Sequence, residues 1–352
     1  MRNMALKKLL TTKHAFLIKR TLLTDGSRPR VLITGGLGQL GLDLTAELRK
    51  RYGKENVILT DVSKQSRVVT DDMQREMSKQ GTDGPFAYLD ISDLNSLHKI
   101  VVDNEINCVV HYAALLSALA ETNVNLASQV NIMGTTNILE LSRIHKLKVF
   151  IPSTIGVFGP DTPRERTPNI TIQRPRTIYG VSKVFGELLG EYYVYKYGVD
   201  FRSLRFPGIV SANAYEGAGT TDYAAKSFHK CMKDGSFSCD LKRETYLPMM
   251  YIGDCTKSVI DFMLTPESQL KQRTYNINAM SFCPEQLEKQ IQRRIPNAKF
   301  KYEVDPMRQK IAESWPVSLD DSDARHDWGW NPEYDLEKMT DVMIEKISQQ
   351  TK

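Results

Sequence analysis

The sequence predicts an α/β protein: a doubly wound parallel sheet with a smaller C-terminal substrate domain. Three observations carry this. Arg30-Val31-Leu32-Ile33-Thr34 is a β-branched, apolar run that stops at Gly35-Gly36-Leu37-Gly38-Gln39-Leu40-Gly41, and a helical pattern from Leu42 to Leu48 follows. Further apolar runs alternate with helical stretches as far as Thr154. Tyr179 and Lys183 then stand four apart at what reads as the start of a helix, so a phenol and an ammonium share one face and can reach a common ligand.

Size and charge narrow the classes. A chain of 352 residues holds one large α/β domain, or one with a smaller appendage, and buries a sizeable core. The net charge of +5 is modest and much of it lies in the first thirty residues, so no nucleic-acid partner is expected. Five cysteines, Cys108, Cys231, Cys239, Cys255 and Cys283, are odd in number and lack a CxxC spacing. Free thiols in a reducing compartment are expected, with no disulfide framework and no metal site. No apolar run approaches the ~20 residues that span a bilayer, so no membrane partner is expected; Ala113 to Ala120 comes nearest. Residues 1–27 differ from the rest. Arg2, Lys7, Lys8, Lys13, Lys19 and Arg20 precede the first acid, Asp25, interleaved with Leu6, Leu9, Leu10, Phe16, Leu17 and Ile18. This segment reads as a mitochondrial transit peptide, which places the protein in the matrix, or else as a disordered tail on a cytoplasmic protein.

The elements follow in order. The glycines fit two spacings, Gly35-x-x-Gly38-x-x-Gly41 and Gly36-x-Gly38-x-x-Gly41, between a strand and a helix. The helix N-terminus offers N–H groups and a positive dipole end to a pyrophosphate. A second strand, Asn56 to Thr60, ends in Asp61, twenty residues beyond Gly41. An acid there accepts hydrogen bonds from adenosine ribose hydroxyls and repels a 2′-phosphate, which favours NAD over NADP; a turn or helix cap is its plainer role. Residues 62–84 are polar and read as a connection with a short helix. Phe86 to Asp93 suggests a third strand, whose end sets Asp90 and Ile91 beside an adenine or merely caps a helix. Asn107 to Ala114 is a fourth strand running into Ala113 and Ala114, small enough for backbone to approach a flat cofactor; His111 within it reads as a core histidine. A helix from about Thr122 to His145 carries Asn131, and Val149 to Thr154 is a fifth strand tipped by Ser153 and Thr154. Right-handed crossovers then give parallel pairing with helices on both faces, and ligands of such sheets bind at the carboxyl ends of the strands. The glycines, Asp61, Ala113-Ala114 and Ser153-Thr154 therefore share one edge, which the Tyr179 helix can reach.

A free tyrosine titrates near pH ~10, too high for a base at neutral pH, and a neighbouring cation favours its anion. Tyr179 beside Lys183 is thus a candidate for proton transfer, although a packed tyrosine and a solvated lysine show the same spacing. The motifs in series resemble the extended, nucleotide-sugar-epimerase-like branch of the short-chain dehydrogenase/reductase superfamily. They are Thr34 to Gly41, Asp61, His111-Tyr112-Ala113-Ala114, Asn131, Ser153-Thr154, Tyr179 with Lys183, Arg205-Phe206-Pro207-Gly208 and Asp327-Trp328-Gly329-Trp330-Asn331-Pro332. The resemblance implies a Rossmann sheet, NAD as cofactor and hydride transfer to its C4. It implies that Tyr179 takes the substrate's hydroxyl proton, that Lys183 lowers the tyrosine's pKa and holds the nicotinamide ribose, and that Thr154 shares the substrate oxygen. The cofactor set it implies is Gly35, Gly38, Gln39, Leu40, Gly41, Asp61, Asp90, Ile91, Ala113, Ala114, Asn131, Ser153, Tyr179, Lys183 and Pro207. The NAD-binding domain is expected over 28–206 with 253–280 returning to it, and the substrate domain over 207–252 and 281–346.

The substrate reading rests on departures from that branch. Its dehydratases resemble Thr-Asp-Glu where this chain has Thr154-Ile155-Gly156, so elimination of water is not expected. Its epimerases carry an arginine for the nucleotide diphosphate where this chain has Leu247-Pro248, so a smaller substrate is expected. Leu115 to Ala118, Gly217 to Ala224 and Ile311 to Ser322 resemble the short-chain family of L-threonine 3-dehydrogenases. That family implies oxidation of the threonine C3 hydroxyl, with Ser117, Thr154, Tyr179, Thr220, Thr221 and Trp315 facing the substrate, and a homodimer built on the long helices. A mobile lid is expected over Glu216 to Thr221. The rival readings are an NAD-dependent nucleotide-sugar epimerase and a non-catalytic dinucleotide-sensing protein.

Overall fold

The computed structural model describes residues 29–62, 83–213 and 219–350. The expectations for residues 1–27, for the short helix within 62–84 and for the first half of the proposed lid, 216–218, lie outside them.

Along the chain run β1 (Val31–Thr34), α1 (Gln39–Tyr52), β2 (Val57–Asp61), β3 (Phe86–Tyr88), α2 (Leu94–Asp103), β4 (Cys108–His111), α3 (Ser117–Thr122), α4 (Val124–Ala127), α5 (Gly134–His145), β5 (Lys148–Phe150) and β6 (Ser153–Thr154). Next are α6 (Ile178–Tyr197), β7 (Phe201–Phe206), β8 (Gly208–Val210), α7 (Tyr223–Asp234), β9 (Ser236–Cys239), β10 (Leu247–Tyr251) and α8 (Ile252–Leu264). The chain closes with β11 (Thr274–Asn276), β12 (Met280–Phe282), α9 (Pro284–Arg294), β13 (Lys299–Tyr302), α10 (Pro306–Glu313), α11 (Ser322–Trp328) and α12 (Leu336–Gln350).

The main sheet has the order β11-β7-β5-β4-β1-β2-β3, with β6 also on β7, and every pair is parallel. Chain order reverses at β1, which pairs with β2 on one side and β4 on the other, so a crevice opens at the carboxyl ends of these strands. The strands read as unbroken apolar runs because both faces are covered. Val31 and Ile33 of β1 face one core with Leu44 and Leu48 of α1 and Phe262 of α8. Leu32 faces the other, with Leu97 of α2, Ile138 and Leu141 of α5 and Tyr193 of α6. Beyond the sheet, β8, β10 and β12 form a three-stranded unit, and β9 pairs with β13. Thr167 bridges Leu319, tying the segment before α6 to the tail. The five cysteines are buried and free, and no helix among the described residues is long and apolar enough to cross a membrane.

Four expected elements differ. The third and fourth strands end at Tyr88 and His111, and the residues beyond them are loop. The expected fifth strand breaks after Phe150 and resumes at Ser153, because Pro152 has no N–H to donate to the ladder. The expected helix over 122–145 contains a π-helical turn, Ser128–Met133, which holds Asn131. A single wide turn of this kind, bonded i→i+5, carries no residue signature that the sequence declares.

Candidate active site

The strand tips open onto a cleft of about 460 Å³. Gly35 shapes its first wall: it has φ +63°, and a Cβ on it would stand 2.5 Å from the Ala113 amide nitrogen, so the loop lies directly on the backbone after β4. No side chain caps α1 and its first turn carries no acid; the Gly38 N–H closes the turn onto the Gly35 carbonyl at 3.2 Å, which leaves those of Gln39, Leu40 and Gly41 for a ligand at the cleft wall. Asp61, at the tip of β2, accepts from the Leu37 N–H at 3.1 Å and lines the cleft. Asp90, Ile91, Ala113, Ala114, Ser153 and Pro207 line it too. A cradle that a Cβ would fill, an uncapped helix N-terminus and a carboxylate at the next strand tip fit a dinucleotide with free ribose hydroxyls.

Tyr179 reaches this cleft from α6. Thr177 caps the helix, its Oγ1 accepting from the Gly180 N–H at 3.1 Å. Gly180 then packs so tightly that a Cβ would stand 2.3 Å from the Gly156 carbonyl oxygen. That approach brings the phenol beside Thr154, whose hydroxyl draws its pKa down. Burial pushes the phenol up to about 12 against that pull. The lowering expected from Lys183 is not among the influences on the phenol, which are burial and Thr154. One turn on, Lys183 donates its Nζ to the Pro152 carbonyl at 2.9 Å and lies 5.7 Å from the centre of the Tyr179 ring. Burial brings its ammonium down to about 8, opposed by Glu187. The strand break at Pro152 therefore has a use: its carbonyl seats the lysine.

Ser117, Thr220, Thr221 and Trp315 line the same cleft, so residues far apart in the chain meet around the phenol. Asn131 is the exception. It stands behind the wall, accepting from the Leu115 N–H at 2.8 Å and donating to the Leu115 carbonyl at 3.0 Å and the Ser182 hydroxyl at 3.3 Å. The π-helical turn aims it at backbone, so it fixes Leu115, itself a lining residue, and is not part of the wall. His111 is a core histidine: its Nδ1 lies 2.7 Å from the Thr34 hydroxyl, and burial lowers its pKa to about 3.

Sequence reasoning passed over Glu187. It is buried behind Lys183 and accepts from Arg205 at 2.9 and 2.8 Å, from the Gln173 amide at 2.7 Å and from the Ser153 hydroxyl. Its spacing was the available signal, four residues beyond Lys183 on the same helical face. Tyr112, Leu116, Phe206 and Asp222, which lie within the motifs but were given no role of their own, also line the cleft.

The glycine cradle, the strand-tip acid and a tyrosine-lysine pair at one sheet edge define an NAD-linked oxidoreductase site. The chain belongs to the NAD dependent epimerase/dehydratase family, which it matches over residues 31–278. Within it, the chain is 52% identical to a protein of Bos taurus named mitochondrial L-threonine 3-dehydrogenase, over 92% of this chain and 84% of that one. It is 44% identical to the crystal structure of L-threonine dehydrogenase from Phytophthora infestans, with TM-score 0.85 over 91% of this chain and 99% of that one. A monomeric L-threonine 3-dehydrogenase from a metagenome is 36% identical, with TM-score 0.84 over 92% of this chain and 100% of that one.

Proposed function

We propose that the protein oxidises the C3 hydroxyl of L-threonine, giving 2-amino-3-ketobutyrate and NADH. The observation that carries the reading is the lining around the phenol. Ser117, Thr154, Thr220 and Thr221 stand there with Tyr179, and no arginine is among the described lining residues. A nucleotide-sugar diphosphate needs a cationic handle, whereas hydroxyls and backbone N–H groups suffice for a free amino acid in a closed pocket. The names of the bovine and Phytophthora relatives support the same substrate.

In this reading Tyr179 takes the hydroxyl proton as the C3–H bond breaks and the ketone forms. Bound NAD supplies the hydride acceptor. Thr154, beside the phenol, shares the substrate oxygen and holds it in line for proton transfer. Lys183, seated on the Pro152 carbonyl, keeps a positive charge beside the developing phenolate and within reach of a ribose. Residues 28–206 and 253–280 hold the cofactor, while 207–252 and 281–346 cover the substrate.

Mixing the protein with L-threonine and NAD is expected to give a sustained rise at the NADH absorbance band, and a panel of UDP-sugars is expected to give none. A flat trace from folded, NAD-loaded protein sinks the dehydrogenase reading, and interconversion of UDP-sugars would install the epimerase instead. A homodimer is proposed on Val181, Leu188, Tyr192 and Tyr195, which α6 leaves exposed, and a mitochondrial address on the basic N-terminus and the bovine relative's name. Sedimentation at the mass of one chain, or a reporter fused to residues 1–27 that stays outside mitochondria, would overturn the respective proposal.

A further inference from the structure

We infer that Arg308 is a positioning residue for the substrate, a pin that holds two substrate-facing segments in one arrangement. The inference rests on the reading above, in which Thr220, Thr221 and Trp315 face the substrate.

Thr220 and Thr221 occupy a tight turn. The Asp222 N–H donates to the Gly219 carbonyl at 3.2 Å, and the Gly219 N–H donates to Asp222 Oδ2 at 2.8 Å. Trp315 stands just beyond α10, its N–H donating to the Ala312 carbonyl at 3.2 Å. Arg308 of α10 joins the two segments. Its Nη1 donates to the Gly219 carbonyl at 3.2 Å and pairs with Asp240 Oδ2 at 3.0 Å. The root of the arginine is held as firmly as its tip. Asp305 caps α10, accepting from the Met307 and Arg308 N–H groups at 2.8 and 3.0 Å, and the Asp305 N–H donates to the Asp240 carbonyl at 2.9 Å. Asp240 thus anchors both the start of α10 and the guanidinium.

The consequence is geometric. Without Arg308 the turn still closes on itself through Asp222, but it is no longer fastened to the helix that delivers Trp315. Small misplacements of groups that hold a substrate are costly because reactive geometry is narrow. Arg308 meets Gly219, Asp240 and Asp305, all away from the glycine loop and Asp61. The cofactor half of the cleft is therefore left as it is.

The test uses the full chain with Arg308→Met, Arg308→Lys and Asp240→Asn, measuring KM for L-threonine, kcat, NAD affinity by titration of protein fluorescence, and Tm. Arg308→Met is expected to raise KM for threonine about 10- to 100-fold, the scale of a charge-assisted contact, with NAD affinity at the parental value. Arg308→Lys is expected to recover most of the loss, since an ammonium can serve the same carbonyl and carboxylate as a point charge. A parental KM for threonine in folded Arg308→Met overturns the inference, and so does an equal loss of NAD affinity, the mark of a merely structural role. If Arg308→Met does not fold, Asp240→Asn decides: a raised KM for threonine supports the pin and a parental KM overturns it. A parent protein that never turns over threonine refutes the proposed function, whereas an active parent with an indifferent Arg308 refutes only the pin.

Discussion

Replacing Tyr179 by phenylalanine lowers kcat by about 10²- to 10⁴-fold while the protein still binds NAD, the range expected when a general base is removed. The ring remains to pack against Gly156 and Lys183, and only the hydroxyl beside Thr154 is lost. The pH profile carries the sign. The base form is the phenolate, and burial holds the phenol near a pKa of about 12, so the reactive fraction grows tenfold per pH unit throughout the neutral range. Lys183 works in the opposite sense. It is charged below about 8 and loses its proton above that, so the partner that favours the phenolate disappears as fast as the phenolate gains. kcat/KM is therefore expected to climb up to about pH 8 and flatten beyond it, with the break belonging to the pair and not to one residue. In Lys183→Met the break near 8 is expected to vanish along with most of the activity. Steady-state rates of the parent and both variants across pH ~6 to ~10 check this. Tyr179→Phe at parental kcat, or a parental break in Lys183→Met, would remove these residues from their roles.

Local chemistry was readable in the chain, and long-range chemistry was not. The glycine loop, Asp61 and the Tyr179–Lys183 pair declare themselves because each needs only a strand or helix and a fixed spacing, and all of them line one cleft. The parallel sheet was legible for a similar reason: strands buried on both faces are apolar at every position, as Val31, Leu32 and Ile33 are. Asn131, expected among the cofactor residues, stands behind the wall on the Leu115 backbone, placed there by a π-helical turn that no residue type announces. Pro152 was in plain view and its meaning was missed: it breaks the strand and frees a carbonyl for Lys183. Arg308 and Gly219 lie 89 residues apart and meet only because α10 packs beside the Thr220 turn, which no local pattern encodes.

Replacing Glu187 by glutamine is expected to cost about 3–5 kcal/mol of stability, the scale for stripping one partner from a buried ion pair. The side chains of Arg205 and Glu187 are only 7% and 3% exposed, and two guanidinium nitrogens meet the two carboxylate oxygens. Arg205 would keep the Asn169 carbonyl at 2.6 Å and Asn276 Oδ1 at 3.1 Å, neither an anion, and the Glu191 carboxylate within electrostatic reach, so its charge would stay buried and only partly compensated. Pairing Glu187→Gln with Arg205→Met removes that charge, and a hydrophobic replacement of a buried pair is often close to neutral, so Tm is expected to recover much of the loss. Activity should not follow it back. Glu187 also takes the Ser153 hydroxyl beside Thr154 and sits behind Lys183, so without it the strand tip and the lysine lose their common anchor whatever the stability. Thermal melts and kcat on the parent, the single and the double variant separate the two effects. If Glu187→Gln lies within about 1 kcal/mol of the parent, the pair is not the clamp it looks to be. If the double variant regains both Tm and kcat, the pair serves the fold alone and the catalytic lysine needs no carboxylate behind it.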